Sequence, residues 1–66
     1  MPDKWWRLKH DWEAEVWELG DTQDNFTEEQ VFPYDGVILG ADVLAPDYLS
    51  ALARARELED AWYKEA

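Results

Sequence analysis

The chain contains no cysteine, so no disulfide staples it and no thiolate is available as a metal ligand or nucleophile. It has one serine, Ser50, and one histidine, His10, which leaves little from which to build a hydrolytic triad. The glycines Gly20, Gly36 and Gly40 stand apart, so there is no glycine-rich phosphate loop. Apolar runs are short. Arg7, Lys9 and Asp11 interrupt the N-terminal one, and none approaches the ~20 residues that cross a bilayer. Neither a signal peptide nor a membrane span is expected, and a cytoplasmic location is. The most telling absence is basic charge: from Asp11 to Ala53 there is no Lys and no Arg.

That stretch holds eleven acids: Asp11, Glu13, Glu15, Glu18, Asp21, Asp24, Glu28, Glu29, Asp35, Asp42 and Asp47. Lys4, Arg7 and Lys9 precede it, and Arg54, Arg56 and Lys64 follow it. The whole chain carries a net charge of −10, nearly all of it from this one segment. Carboxylates at this density repel one another and oppose compaction, while keeping a protein soluble. They also exclude partners. Anionic lipid and bare nucleic acid are repelled by such a surface, so neither direct nucleic-acid binding nor membrane binding is expected.

At 66 residues the chain is one domain, 1–66, of a size that buries only about 60% of the surface its unfolded form exposes. The compensation is aromatic. Five Trp, three Tyr and two Phe are present, and each ring buries roughly 150–250 Å². High charge with few aromatics would mark disorder; this composition predicts a compact fold.

Residues 4–19 fit two patterns. Trp6, Leu8, His10, Trp12, Ala14 and Val16 alternate with the charged Arg7, Lys9, Asp11, Glu13 and Glu15, which is the period of a strand. Trp5, Leu8, Trp12, Val16 and Leu19 also share one helical stripe. Charge pairing favours a hairpin folded about Asp11, in which Lys9 faces Glu13, Arg7 faces Glu15 and Lys4 faces Glu18. The helix would place its bases N-terminal to its acids, the weaker i,i+4 order, and would set Asp11 against Glu15. The hairpin tip lacks the Gly or Asn that short turns favour. Gly20 to Asn25 is turn chemistry. Thr27 with Gln30 matches a capping box and predicts a short helix over 28–32, ending before Pro33. Asp35-Gly36 is a turn signal. Val37-Ile38-Leu39 predicts a buried central strand, with Gly40 at its end or at a bulge. From Pro46 the pattern is helical: Asp47 lies at the positive end of the macrodipole, and Tyr48, Leu52, Ala55, Leu58 and Trp62 form one stripe. The fold class is therefore α+β, a small antiparallel sheet with an N-terminal hairpin, covered on one face by a helix over 47–64.

Trp6, Trp12 and Trp62 are read as core. Trp5 and Trp17 are placed on the outer sheet face, where they are candidates to anchor a partner, since Trp is enriched at binding hot spots. A base-stacking role fails on charge, because stacking platforms sit in basic grooves. Asp21, Gln23 and Asn25 imitate the start of a calcium loop, but the sixth position is Phe26 where Gly is required and the twelfth is Phe32 where Glu is required. No metal, cofactor or catalytic residue is assigned, and no enzyme activity is expected.

Two readings of the acidic stretch remain open. It is a solvated face of a small interaction or accessory module that binds through exposed Trp or the C-terminal helix, or it is itself the ligand. In a strand, alternate residues lie about 6.7 Å apart, so Asp11, Glu13 and Glu15 would form a regular row, extended by Glu18, Asp21 and Asp24. A DNA strand advances ~3.4 Å per phosphate. In size, lack of cysteine and its base-free stretch, the chain resembles the small acidic inhibitors encoded by phages and mobile elements, including many anti-CRISPR proteins and other DNA mimics. The resemblance is compositional and covers the whole chain without a shared motif. It implies a non-enzymatic blocker of a CRISPR surveillance complex or other host nuclease in a bacterial host cell, and a monomer is expected. The partner-binding candidates are then Asp11, Glu13, Glu15, Glu18, Asp21, Asp24, Glu28, Glu29, Trp5 and Trp17.

Overall fold

The computed structural model describes residues 2–20, 26 and 28–65. Among these residues four strands, β1 (Lys4–Asp11), β2 (Val16–Leu19), β3 (Gln30–Tyr34) and β4 (Val37–Ala45), precede one helix, α1 (Tyr48–Glu65). All pairings are antiparallel and the strand order is β2-β1-β4-β3. This is the α+β architecture read from the sequence, with the helix laid chiefly on β4.

The alternation in β1 is that of a strand. Trp6, Leu8 and His10 face the helix, with Leu8 opposite Ala41 and Trp6 opposite Val43. Arg7 and Lys9 face the other way. The hairpin forms, but in a different register from the charge-paired one. Leu8 pairs with Leu19, Lys9 with Glu18, His10 with Trp17 and Asp11 with Val16. The cause is at the tip. Asp11 Oδ1 accepts the N–H groups of Glu13 (3.0 Å) and Ala14 (3.2 Å), and Glu15 takes φ = 58°. A carboxylate bonding its own backbone and one left-handed residue thus build a four-residue loop over 12–15 without Gly or Asn. The shift moves Trp17 onto the helix face and Trp12 out to solvent, reversing the roles assigned to those two tryptophans.

Residues 30–34 form a strand rather than a short helix. Val31 pairs with Ala41 and Tyr34 with Val37, so these residues complete the free edge of β4. Pro33, which has no N–H, is accommodated because β3 is an edge strand. Thr27, the proposed cap, lies outside the described residues, as do Asp21 to Asn25. The Asp35-Gly36 turn is as expected, with φ of 52° and 82°, the left-handed pair of a tight hairpin turn.

β4 is the central strand and is longer than Val37–Leu39. Between Val31/Ala41 and Pro33/Ile38 it takes three steps where β3 takes two, a bulge at Leu39-Gly40. The bulge turns Ile38 to the same side as Ala41 and Val43, and all three are fully buried. Gly40 is required there, because an added Cβ would lie 2.7 Å from the Leu8 carbonyl oxygen.

Helix α1 starts where the sequence places it. Asp47 Oδ1 accepts the Ser50 N–H at 2.8 Å, an N-cap. Ala51 and Ala55, one turn apart and fully buried, let the helix lie close to the sheet. The core comprises Leu8, Trp17, Ile38, Ala41, Val43, Ala45, Ala51 and Ala55, with Trp6, Val31, Leu52, Leu58 and Trp62 packed against it. Among the described residues no helix is long and apolar enough to cross a membrane.

Candidate functional site

β1 and β3 run toward the same end of the sheet, so the β1–β2 tip (residues 12–15) and the β3–β4 tip (Asp35-Gly36) lie side by side there. The helix C-terminus reaches that end as well, where Tyr63 Oη accepts the Ile38 N–H at 3.3 Å. Among the described residues, clefts open between these parts. One, of about 520 Å³, lies between hairpin and helix and is lined by His10, Trp12, Glu15, Trp17, Val37, Arg56, Glu59, Asp60 and Tyr63. The other, of about 270 Å³, lies between the two tips and is lined by Trp12, Tyr34, Asp35, Val37 and Leu39. Trp12 is shared by both and is 58% exposed.

Three of the ten candidate residues meet at this end: Asp11, Glu13 and Glu15 are all exposed and belong to one tip. Asp35 joins them from the other tip, and Glu59 and Asp60 from the helix. Glu13 and Glu15 stand in a loop, so the evenly spaced strand row does not form; the carboxylates cluster around a turn instead. The remaining candidates are dispersed. Glu18 sits beside Lys9 on the sheet face away from the helix. Glu28 is exposed near the start of β3. Asp21 and Asp24 lie outside the described residues. Trp5 is half-buried on the outer face against Phe26, ring centroids 5.9 Å apart, and its pairing with Leu44 sets it about 20 Å along β1 from the tip. Trp17 is only 8% exposed and stacks on His10 at 4.9 Å, so it is a core residue and not a surface anchor.

Two acids of the base-free stretch are paired with arginines inside the fold. Asp42 is fully buried and receives both Nε (2.8 Å) and Nη2 (2.9 Å) of Arg7 together with Nε2 of Gln30 (3.0 Å). Burial pushes its carboxyl up, and the bonds from Arg7 and Gln30 outweigh that and hold it below its ordinary value. The Arg7 guanidinium also lies over Phe26 and Phe32, 4.8 and 5.2 Å from the ring centres. Glu29, just before β3, is held by Arg54 (2.9 Å) and accepts the Leu44 N–H (3.2 Å) on the β4 edge beyond the first residue of β3. The Arg54 bonds lower its carboxyl despite partial burial. Glu29 is therefore a clasp between sheet and helix and not a free surface charge.

His10 spans sheet and helix. Its Nδ1 is 3.2 Å from the Ile38 carbonyl, which only accepts, so Nδ1 carries the proton. Its Nε2 is 3.6 Å from Glu59. No hydroxyl or amine stands among the lining residues as a partner for a nucleophilic arrangement other than the Tyr63 phenol. Among the described residues no group of three or more His, Asp or Glu side chains is placed to hold a metal ion.

Sequence reasoning missed Trp12, Tyr34 and Asp35 as site residues. The signal for the last two was present, because Asp-Gly after Tyr34 marks a tip that must project. Trp12 became visible only once the loop was known to span four residues. No family model matches the chain, and no curated protein or solved structure matches it.

Proposed function

We propose that this chain is a non-enzymatic acidic protein that occupies the basic nucleic-acid-binding surface of another protein or complex, and that the end bearing the two hairpin tips makes the contact. The target class is a CRISPR surveillance complex or another host nuclease. The observation that carries this reading is the convergence of Asp11, Glu13, Glu15 and Asp35 at one end. Among the described residues none of these four carboxylates has a salt-bridge partner, whereas Asp42 and Glu29, elsewhere, are neutralised by Arg7 and Arg54. An uncompensated cluster of one sign raises the encounter rate with a cationic surface and disfavours anionic partners.

The cluster is not a copy of a phosphate row, since its members lie on a turn and not along a strand. It presents charge around two exposed aromatic residues, Trp12 and Tyr34, which gives the contact an apolar centre with a charged rim. The exposed Trp12 also supports the second reading, an interaction module whose charge serves solubility. Stepwise salt elution of proteins captured from bacterial lysate on the immobilised chain separates the two. Nucleic-acid-binding proteins released at low salt support the acidic blocker, because screening acts on exposed charges. A non-basic protein that stays bound at high salt supports the module.

A further inference from the structure

We propose that the groove between the two hairpin tips is a receptor for one arginine side chain of the partner protein. The proposal deepens the reading above and rests on it for the partner being a basic protein. The groove, about 270 Å³, has two aromatic residues, Trp12 and Tyr34, two aliphatic ones, Val37 and Leu39, and a single charged one, Asp35. Trp12 is 58%, Tyr34 71% and Leu39 39% exposed, so this small protein leaves a connected apolar surface in water at the end that bears the two tips. Asp35 has no salt-bridge partner among the described residues.

These residues specify the chemistry of an occupant. An anion is repelled by Asp35 and by Glu13 and Glu15 of the neighbouring tip. A purely apolar group would cover the Asp35 carboxylate and take it from water without compensation. An apolar stem ending in a flat cation satisfies every wall: methylenes against Val37 and Leu39, a cationic plane on the aromatic faces, and N–H donors for the carboxylate. Arginine fits better than lysine, because guanidinium is planar, weakly hydrated, stacks on rings and bonds carboxylates two at a time.

The chain already contains this recognition in filled form. On the outer sheet face the Arg7 guanidinium makes paired bonds to Asp42 at 2.8 and 2.9 Å and lies over Phe26 and Phe32. The groove between the tips has the same parts, one carboxylate and two aromatic rings, with no arginine of its own among its lining residues.

The test is a titration of the ¹⁵N-labelled full chain with acetyl-Gly-Arg-Gly-amide, read at the indole N–H resonances. Lysine and citrulline peptides run in parallel, citrulline having the shape of arginine without its charge. The Trp12 indole, assigned with Trp12→Phe, is expected to shift saturably with the arginine peptide, to shift less with lysine and to stay in place with citrulline. Asp35→Asn, which is tolerated at a left-handed position, is expected to weaken arginine binding by about threefold or more. The proposal is overturned if citrulline moves Trp12 as far as arginine does. It is equally overturned if the other four indoles move as much as Trp12, if Asp35→Asn binds equally well, or if no saturable shift occurs up to about 50 mM peptide, where a millimolar site is filled. No partner is used in this titration. A negative result therefore removes the groove and leaves the acidic contact surface standing. Loss of the basic partner class from the lysate capture, with the titration positive, removes the functional reading and leaves the groove.

Discussion

Glu15 combines two properties that rarely coincide by chance of local structure. It carries one of the exposed carboxylates at the tip, and it holds φ = 58°, a conformation that costs a residue with a Cβ about 1–2 kcal/mol. A residue chosen only for the turn would be Gly or Asn. Glu15→Gly is therefore expected to stabilise the fold by about 1 kcal/mol while removing a contact charge, so that urea midpoint and partner affinity move in opposite directions. Equal losses in both would mean that Glu15 supports the turn. The residue scale is also where the sequence was hardest to read. Alternation sorts Trp6 and Leu8 to the core side correctly, but it cannot tell Trp12 from Trp17. That distinction depends on a loop length set by Asp11 bonding to Glu13 and Ala14, a side-chain effect with no periodic signature. The burial of Asp42 was invisible for a related reason: its partners Arg7 and Gln30 are brought to it by two separate strand pairings.

Elements were more legible than residues. Helix α1 was evident from Pro46, Asp47 and one apolar stripe, because capping and periodicity agree there. The hairpin over 4–19 was legible as a hairpin and not in its register. Charge complementarity supported a register folded about Asp11, and turn chemistry chose another. Residues 28–32 misled because a capping box is a local signal, whereas β3 exists through the unpaired edge of β4. The bulge at Leu39-Gly40 decides which way Ile38 faces, and Gly40 is the residue that permits it. Gly40→Ala places a Cβ against the Leu8 carbonyl oxygen, and a loss of about 1–3 kcal/mol is expected from overpacking. Gly36→Ala meets nothing within 4 Å and suffers only from φ = +82°, for a smaller cost of about 1 kcal/mol. Chemical denaturation of both variants checks the order; a milder effect at Gly40 would refute the close strand approach.

At the scale of the whole molecule two groups of acids have opposite effects. Exposed carboxylates at the tips repel one another, whereas Glu29 and Asp42 hold the fold together. In the folded chain both of the latter titrate below their ordinary values of 4.5 and 3.8. As the pH falls, the unfolded chain takes up these protons first. The stability they contribute is present above about pH 4.5 and is lost as the pH drops through the folded values. The contribution of Glu29 is best read as a difference between two chains. The stability gap between the native chain and Glu29→Gln is expected to narrow as the pH falls below about 4.5, as followed by urea midpoints. A gap that stays constant would show that the Glu29–Arg54 clasp contributes nothing. The same division explains how a chain with net charge −10 folds without a disulfide. Arg7 and Arg54 neutralise Asp42 and Glu29 against the body of the fold, and four acids without a salt bridge among the described residues, Asp11, Glu13, Glu15 and Asp35, stand at one end.

That uncompensated end is the basis of the functional account, and charge reversal there tests it most directly. Basic nucleic-acid-binding proteins captured from bacterial lysate would be quantified on the immobilised native chain and on Glu13→Lys/Glu15→Lys, each with and without excess duplex DNA. Circular dichroism would establish that both chains are folded. The account expects these proteins to be retained by the native chain, displaced by DNA and absent from the double variant. Retention of the same proteins by the double variant, undiminished by DNA, would contradict it.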